Sequence, residues 1–315
     1  MEVLRRVLVY VAKDRSSPQK VPFLQSVVGL LDGADDELKL NFKLEQNHFI
    51  LFKDSTNQKQ RPPFCPIKHL SVTEAAAIPL DVRQRGVDVG VAILLQSSNQ
   101  RILLTRRAKT LRIFPNVWVP PSCFSPDLFS FTGGHIEPDE TSWSCSGSGG
   151  GLRELNEETG LRLDRDQVQT RVLGLWESVF PARLSRGLPQ RHHIVLYVLL
   201  KTDRDHLTLQ ENLSPSFLEV SACLWAEPGL IRAVLSEEDY SPDSVRASEV
   251  AADGSLRTVS IPVSVFRASV PDHGPDVERI SSGTKYALGL WLQDLSSPDP
   301  TSPDPWFHCD VSEQN

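Results

Sequence analysis

The sequence predicts an α/β protein carrying a small N-terminal α+β annex. Three observations carry that expectation. Apolar runs of strand length recur at Val87–Leu95, Ile102–Thr105, Val172–Ser178 and His193–Leu200. Two stretches of helical character follow such runs, one rich in acids near Arg153–Leu161 and one apolar at Gly229–Leu235. Upstream, Leu38, Leu40, Phe42 and Leu44 alternate before Gln46-Asn47 and Phe49–Phe52, the signature of a hairpin. At 315 residues and 40% apolar, the chain can bury one full core and support an annex.

Taken in order, residues 1–60 form the annex, with a strand at Val3–Val11, a short apolar helix at Phe23–Leu31 and the hairpin. Residues 61–85, opening with Arg61-Pro-Pro-Phe-Cys-Pro66, read as an ordered linker. The main domain spans 86–265. Its first two strands are joined by Ser97-Ser-Asn-Gln100 and end on Arg106 and Arg107, a basic strand end that faces either phosphate or solvent. Asn116–Pro121 forms the next strand. The connection Phe180–His192 holds Arg183, Arg186 and Arg191, and His193 follows it, which makes it the most basic loop of the domain. Trp176 and Phe180 offer rings on which a base could stack, or serve the core. Glu219 opens the strand that leads through Trp225 into the second helix. Residues 236–258 read as an acidic loop and Val259–Val265 as a further strand. Residues 266–295 form a helical cap, on the apolar period of Ile280–Leu292. The repeated Ser-Pro-Asp-Pro composition of 296–315 reads as a disordered tail.

A net charge of −7 argues against DNA or non-specific nucleic-acid binding and against a basic membrane-surface protein. It leaves a phosphorylated substrate open, because a bound metal ion supplies local positive charge. The five cysteines, at 65, 123, 145, 223 and 309, are odd in number and lack CxxC spacing, which favours reduced thiols in the cytoplasm. Membrane spans are not expected, since the apolar run Ile194–Leu200 is only seven residues long.

The most informative stretch is 133–161. Within it, Glu154, Glu157 and Glu158 stand at i, i+3 and i+4, on one side of a helix. Like charges so placed repel by roughly 0.2–0.5 kcal/mol per pair. A divalent cation would compensate, and carboxylate oxygens suit Mg²⁺ or Mn²⁺. The alternative is a solvated acidic face. Gly160 stands where a left-handed residue closes a helix.

The flanking residues extend this into a longer pattern. Gly134 and Glu140 are separated by five residues, and Arg153, Glu154, Leu155, Glu157, Glu158, Gly160 and Leu161 follow. This resembles the Nudix box, in which each of those positions is specified. The resemblance implies an α/β/α sandwich with a mixed sheet and metal-dependent hydrolysis of a nucleoside diphosphate linkage. It implies Mg²⁺ or Mn²⁺ held by Glu154, Glu157 and Glu158, with Glu157 or Glu219 as general base and Arg153 fixing a helix carboxylate. Arg106, Arg107, Arg191 and His193 are the implied substrate contacts, and Gly133, Gly134, Glu140 and Gly160 the structural positions of the box. One departure is plain. Twelve residues, 141–152, separate Glu140 from Arg153 where the family has seven, and this glycine-rich insert places the helix start near Gly150 or Gly151. Outside the box, Arg61–Pro66, Gly86–Pro121, Leu173–Tyr197 and Gly283–Leu292 are similar to a branch associated with removing methylated caps from RNA 5′ ends. The expected partner is therefore a nucleotide or a capped RNA 5′ end, and the expected product N7-methyl-GDP. The alternatives are a diphosphatase of NADH or ADP-ribose and a binding protein whose catalysis is impaired by the insert.

Overall fold

In a computed structural model of the chain, the described residues are 7–13, 17–31, 37–45, 47–53, 57–60, 64–123, 152–153, 155–236, 240–274 and 276–296. Gly133, Gly134, Glu140, Glu154 and the tail beyond 296 lie outside them. The N-terminal segment contributes β1 (Leu8–Ala12), β2 (Gln19–Lys20), α1 (Val27–Leu30), β3 (Glu37–Glu45), β4 (His48–Lys53) and β5 (Asn57–Gln60). Three short helices, α2 (Pro66–His69), α3 (Val72–Ala77) and α4 (Leu80–Arg83), occupy the stretch that reads as linker. Next come β6 (Asp88–Gln96), β7 (Ile102–Arg107), β8 (Val117–Val119) and β9 (Ser122–Cys123). Helix α5 is the acidic helix, helical at 152, 153 and 155–159. The remainder is β10 (Val168–Phe180), β11 (Arg191–Thr202), α6 (His206–Glu211), β12 (Val220–Ala226), α7 (Pro228–Ser236) and β13 (Ser244–Val250), then β14 (Leu256–Pro262), α8 (Val263–Arg267), β15 (Arg279–Ile280) and α9 (Ser282–Ser296).

The strands join one mixed sheet. β11 runs parallel to β6 from His193↔Asp88 to Lys201↔Gln96 and antiparallel to β10. Buried on both faces, these strands read as continuous apolar runs rather than alternations. The N-terminal segment is woven into the same sheet. β5 pairs with β10 at Leu175↔Lys59, and β1 pairs with β6 at Leu8↔Asp88. The circuit β1–β4–β3–β5–β10–β11–β6 thus closes on itself, which covers edges that would otherwise expose unpaired backbone. Residues 236–258, which read as a loop, contain β13. Only Ala247 of that strand is fully buried, so too few apolar residues stand in it to make a period-two signal.

Two apolar cores fill the sheet's faces. One combines Leu155 and Leu161 of the acidic helix and its exit with Leu103, Leu196, Cys223 and the N-terminal Val9 and Phe49. The other packs Trp291 and Leu288 of α9 with Trp118, Trp176 and Phe266.

A buried polar cluster ties the N-terminal segment to the main sheet. Glu177 on β10 is fully buried and accepts from Val27 N (2.7 Å), Val28 N (3.3 Å), Ser26 Oγ (3.3 Å) and Lys59 Nζ (3.3 Å). His192 Nε2 lies 3.0 Å from the same carboxylate, and its Nδ1 lies 2.7 Å from Phe23 O, so both ring nitrogens face acceptors. Burial alone would raise the Glu177 carboxyl's pKa. Lys59, His192 and the Val27 N–H more than offset it and hold the group well below the usual carboxylate range.

Candidate active site

The site begins where two strands part. β6 and β7 pair only at Gln96↔Ile102. Beyond that point β7 continues with β8, through Thr105↔Val119 and Arg106↔Trp118, while β6 stays with β11. The wedge between them holds a cleft of about 460 Å³, with Arg107 and Val119 on one side and Trp176, Val195 and Tyr197 on the other. That volume is in the range of small-molecule sites.

Helix α5 is locked against the sheet by Leu155 and closed at its end by Gly160. Gly160 has φ +74°, and its N–H donates to Asn156 O at 2.8 Å. A Cβ there would lie 2.8 Å from Ser214 Cβ and 2.9 Å from Ser214 O. The loop past Ser214 caps the helix in return, with Ser214 N donating to Thr159 O (2.8 Å) and Ser216 N to Glu158 O (3.1 Å). Glu219 closes the next turn through Ser216 O, and its own carbonyl accepts from Ala108 N at 2.8 Å, just past the end of β7. Glu219 is thereby fixed between the acidic helix and Arg107. Gly160→Ala should lower stability by at least about 1–2 kcal/mol, from the left-handed backbone and the contact with Ser214, read as a lower urea midpoint.

Among the described residues of the helix, Glu158 is the buried carboxylate, at 7% exposure, and its Oε2 accepts from Ser122 N at 3.0 Å. Burial lowers the pKa of the Arg107 guanidinium, and the charges of Glu158 and Glu219 oppose that shift. Burial, joined by the Glu158 charge, pushes the Cys223 thiol up to about 12, so this cysteine is no nucleophile at neutral pH. Glu157, next along the helix, is exposed, and Arg153 Nε lies 3.8 Å from its Oε1, one turn back.

Arg106 and Arg107 part company. Neighbouring residues on a strand point to opposite faces. Arg107 faces the acidic helix, with its Nε donating to Ile113 O at 3.2 Å. Arg106 is turned away from it. It lies over the Trp118 ring and donates to Ser221 Oγ (2.9 Å), Glu278 Oε1 (3.2 Å) and Glu249 Oε1 (3.2 Å). Of the two arginines named as substrate contacts, Arg107 is the one on the side of the acidic helix. Arg191 sits 3.9 Å from Asp88 Oδ2. His193 is buried and pushed down to about 3, first by burial and then by the positive charges of His192, Arg191 and Arg107, so it is neutral at physiological pH.

Among the described residues no group of three Asp, Glu, His or Cys side chains converges as a metal site. The described members of the implied set, Glu157 and Glu158, offer oxygen donors only, which fits a hard divalent cation. Glu154, the third, is outside the described residues. Sequence reasoning missed the Ser122 N–H on Glu158 and the cleft's α9 wall. Neither has a local motif, because each depends on which strands lie beside each other.

A family profile described as NUDIX domain matches residues 85–243. The zebrafish, Danio rerio, protein named m7GpppN-mRNA hydrolase NUDT17 is 48% identical over 309 residues, covering 94% of this chain and 98% of that one. Its Xenopus laevis namesake is 44% identical over 97% of this chain and 99% of its own length. The Homo sapiens namesake is 41% identical, covering 90% of this chain and 87% of its own. With a closed acidic helix beside a splayed mixed sheet, and with relatives this similar along nearly its whole length, the chain belongs to the Nudix family.

Proposed function

We propose that this protein is a divalent-cation-dependent hydrolase that cleaves the phosphoanhydride of m7GpppN-capped RNA and releases N7-methyl-GDP. The observation that carries the reading is the buried Glu158 beside Arg107, an arginine that also lines a cleft of nucleotide size. Its support from relatives is the name shared by three proteins that align with nearly all of the chain. Glu154, Glu157 and Glu158 would hold Mg²⁺ or Mn²⁺. When bound, the cation neutralises phosphate charge and makes water a better nucleophile. Ser122 N donates to Glu158 and holds it in a buried setting beside Arg107. Either Glu157, with Arg153 Nε 3.8 Å away, in place of a ligand role, or the exposed Glu219 accepts the proton of the attacking water. Arg107 holds the diphosphate by charge-assisted hydrogen bonds. Arg191 and the neutral His193 contribute to substrate orientation without adding a titrating group near pH 7.

In this reading the protein works in the cytoplasm, consistent with the buried thiols Cys65 and Cys223. No helix among the described residues is long and apolar enough to cross a membrane. The test is a panel of m7GpppN-capped RNA, NADH, ADP-ribose and CoA, each with Mg²⁺ or Mn²⁺. The expected result is N7-methyl-GDP from capped RNA at the highest kcat/KM. A higher value for NADH or ADP-ribose would replace the substrate, and no product from any would leave a binding protein. Arg107→Ala should lower kcat/KM by roughly 10- to 150-fold, the worth of one hydrogen bond to a charged group.

A further inference from the structure

We propose that the cleft walled by α9 takes the phosphate on the RNA side of the cleaved anhydride, not the methylated guanine. The inference rests on the capped-RNA reading and says which half of that substrate the cleft holds.

The sign of the lining is the first argument. Arg107, Arg183, Arg279 and Lys285 line the cleft. The carboxylate in its wall, Glu177, is already engaged by Lys59, His192 and the N–H groups of α1. Asp272 and Asp276 pair with Arg183 (3.4 Å) and Arg279 (2.6 Å), yet neither lines the cleft. N7-methylguanine carries a positive charge, which such a lining repels. A phosphate bearing a neutral base is attracted.

Two further observations point to an oxyanion. Arg279 is 4% exposed, and its buried Nε has no hydrogen-bond partner among the described residues. A buried donor without an acceptor is costly, and it belongs to a guanidinium that borders the cleft with hydrogen-bonding capacity unspent. Beside it, α9 begins. Its cap Ser281 and its first residues Ser282 and Gly283 line the same space, and the helix runs fifteen residues behind them. Backbone N–H groups and the helix dipole favour an anion at such an end. Gly283 is what lets the helix start so close. A Cβ there would lie 2.6 Å from Tyr197 Oη and 2.8 Å from Trp176 Cδ1. Arg279 to Lys285 fall outside the 85–243 family match, so this wall is an addition to the family domain.

The same cleft has a surface for a neutral base. Phe114 lines it with φ +51°, a left-handed conformation that a bulky residue keeps only when its surroundings impose it. The Phe180 ring, 4.9 Å away, and the Arg107 hydrogen bond to Ile113 O hold that loop in place. The result sets an aromatic ring beside Arg107, where a base next to a bound phosphate could stack.

The test measures binding to the full chain with Mg²⁺, by anisotropy of a labelled tetranucleotide RNA carrying a 5′-monophosphate. The comparators are its 5′-hydroxyl twin, inorganic phosphate, GMP and N7-methyl-GDP as competitors. The 5′-phosphorylated RNA should bind about tenfold or more tighter than the twin, as charge-assisted contacts imply. Lys285→Glu and the more exposed Arg183→Glu should each erase that preference while N7-methyl-GDP affinity stays within about twofold. GMP competing better than inorganic phosphate would locate the base in the cleft as well. Equal affinity for the two RNAs overturns the proposal, as does a charge reversal that weakens N7-methyl-GDP instead. Binding requires no turnover. A chain that passes this test but leaves capped RNA intact loses the proposed activity alone, and a cap hydrolase that fails it loses only the subsite.

Discussion

Glu158→Gln should abolish turnover of capped RNA and leave the chain folded. The substitution keeps shape and volume, and the amide oxygen can still accept from Ser122 N, which now meets Glu158 Oε2 at 3.0 Å. What it removes is the buried charge that faces Arg107 and stands in the implied cation set. A fall of at least about 10³-fold in kcat is expected, with a melting temperature close to that of the parent chain. Glu157→Gln is the informative companion. Glu157 is exposed and held only loosely by Arg153, so its loss should cost activity with even less effect on stability. If Glu158→Gln turned over at the parent rate, this carboxylate would have no part in the chemistry.

Glu177→Ala should be the most destabilising single change in the molecule. It would leave Lys59 buried without its counter-charge and strip His192 Nε2, Val27 N and Val28 N of their acceptor. Breaking a buried pair from one side costs about 3–5 kcal/mol, a large part of the roughly 5–15 kcal/mol available to a folded chain. The damage should concentrate where β5 and α1 join β10, readable as early hydrogen exchange there and as a lower urea midpoint. Replacing Lys59 and Glu177 together by Met and Leu should recover part of the loss, because the Lys59 charge is then no longer stranded, while His192 Nε2, Val27 N and Val28 N still lack their acceptor. The carboxyl's folded pKa lies below its unfolded value near 4.3. Its contribution is therefore complete above pH ~4.3 and is lost as the pH falls through the folded value. Glu177→Gln should flatten the acid limb of a stability–pH curve.

How much of this was legible in the sequence follows from the range of each interaction. The acidic helix and its closing glycine were readable because both are local. Glu157, Glu158 and Gly160 are fixed by a 3.6-residue period and a left-handed end. The strands β6 and β11 were readable from their apolar runs, and β10 from the shorter run that starts at Val172. The opposed roles of Arg106 and Arg107 could have been seen from strand alternation alone, since one residue's shift changes the face. The Lys59–Glu177–His192 cluster was not legible. Its members are 118 and 15 residues apart, and only the pairing of β5 and β11 on either side of β10 brings them together. The acidic composition of 236–258 likewise masked β13, whose outer face needs no apolar residue.

The most direct measurement follows products from a 5′-capped, body-labelled RNA incubated with the purified chain, in EDTA and then across an Mg²⁺ and Mn²⁺ titration. The account requires silence in EDTA, N7-methyl-GDP and 5′-monophosphorylated RNA rising together with either cation, and neither product from Glu158→Gln. Cleavage that persists in EDTA, or an intact cap at every cation concentration while the protein remains folded, would contradict it.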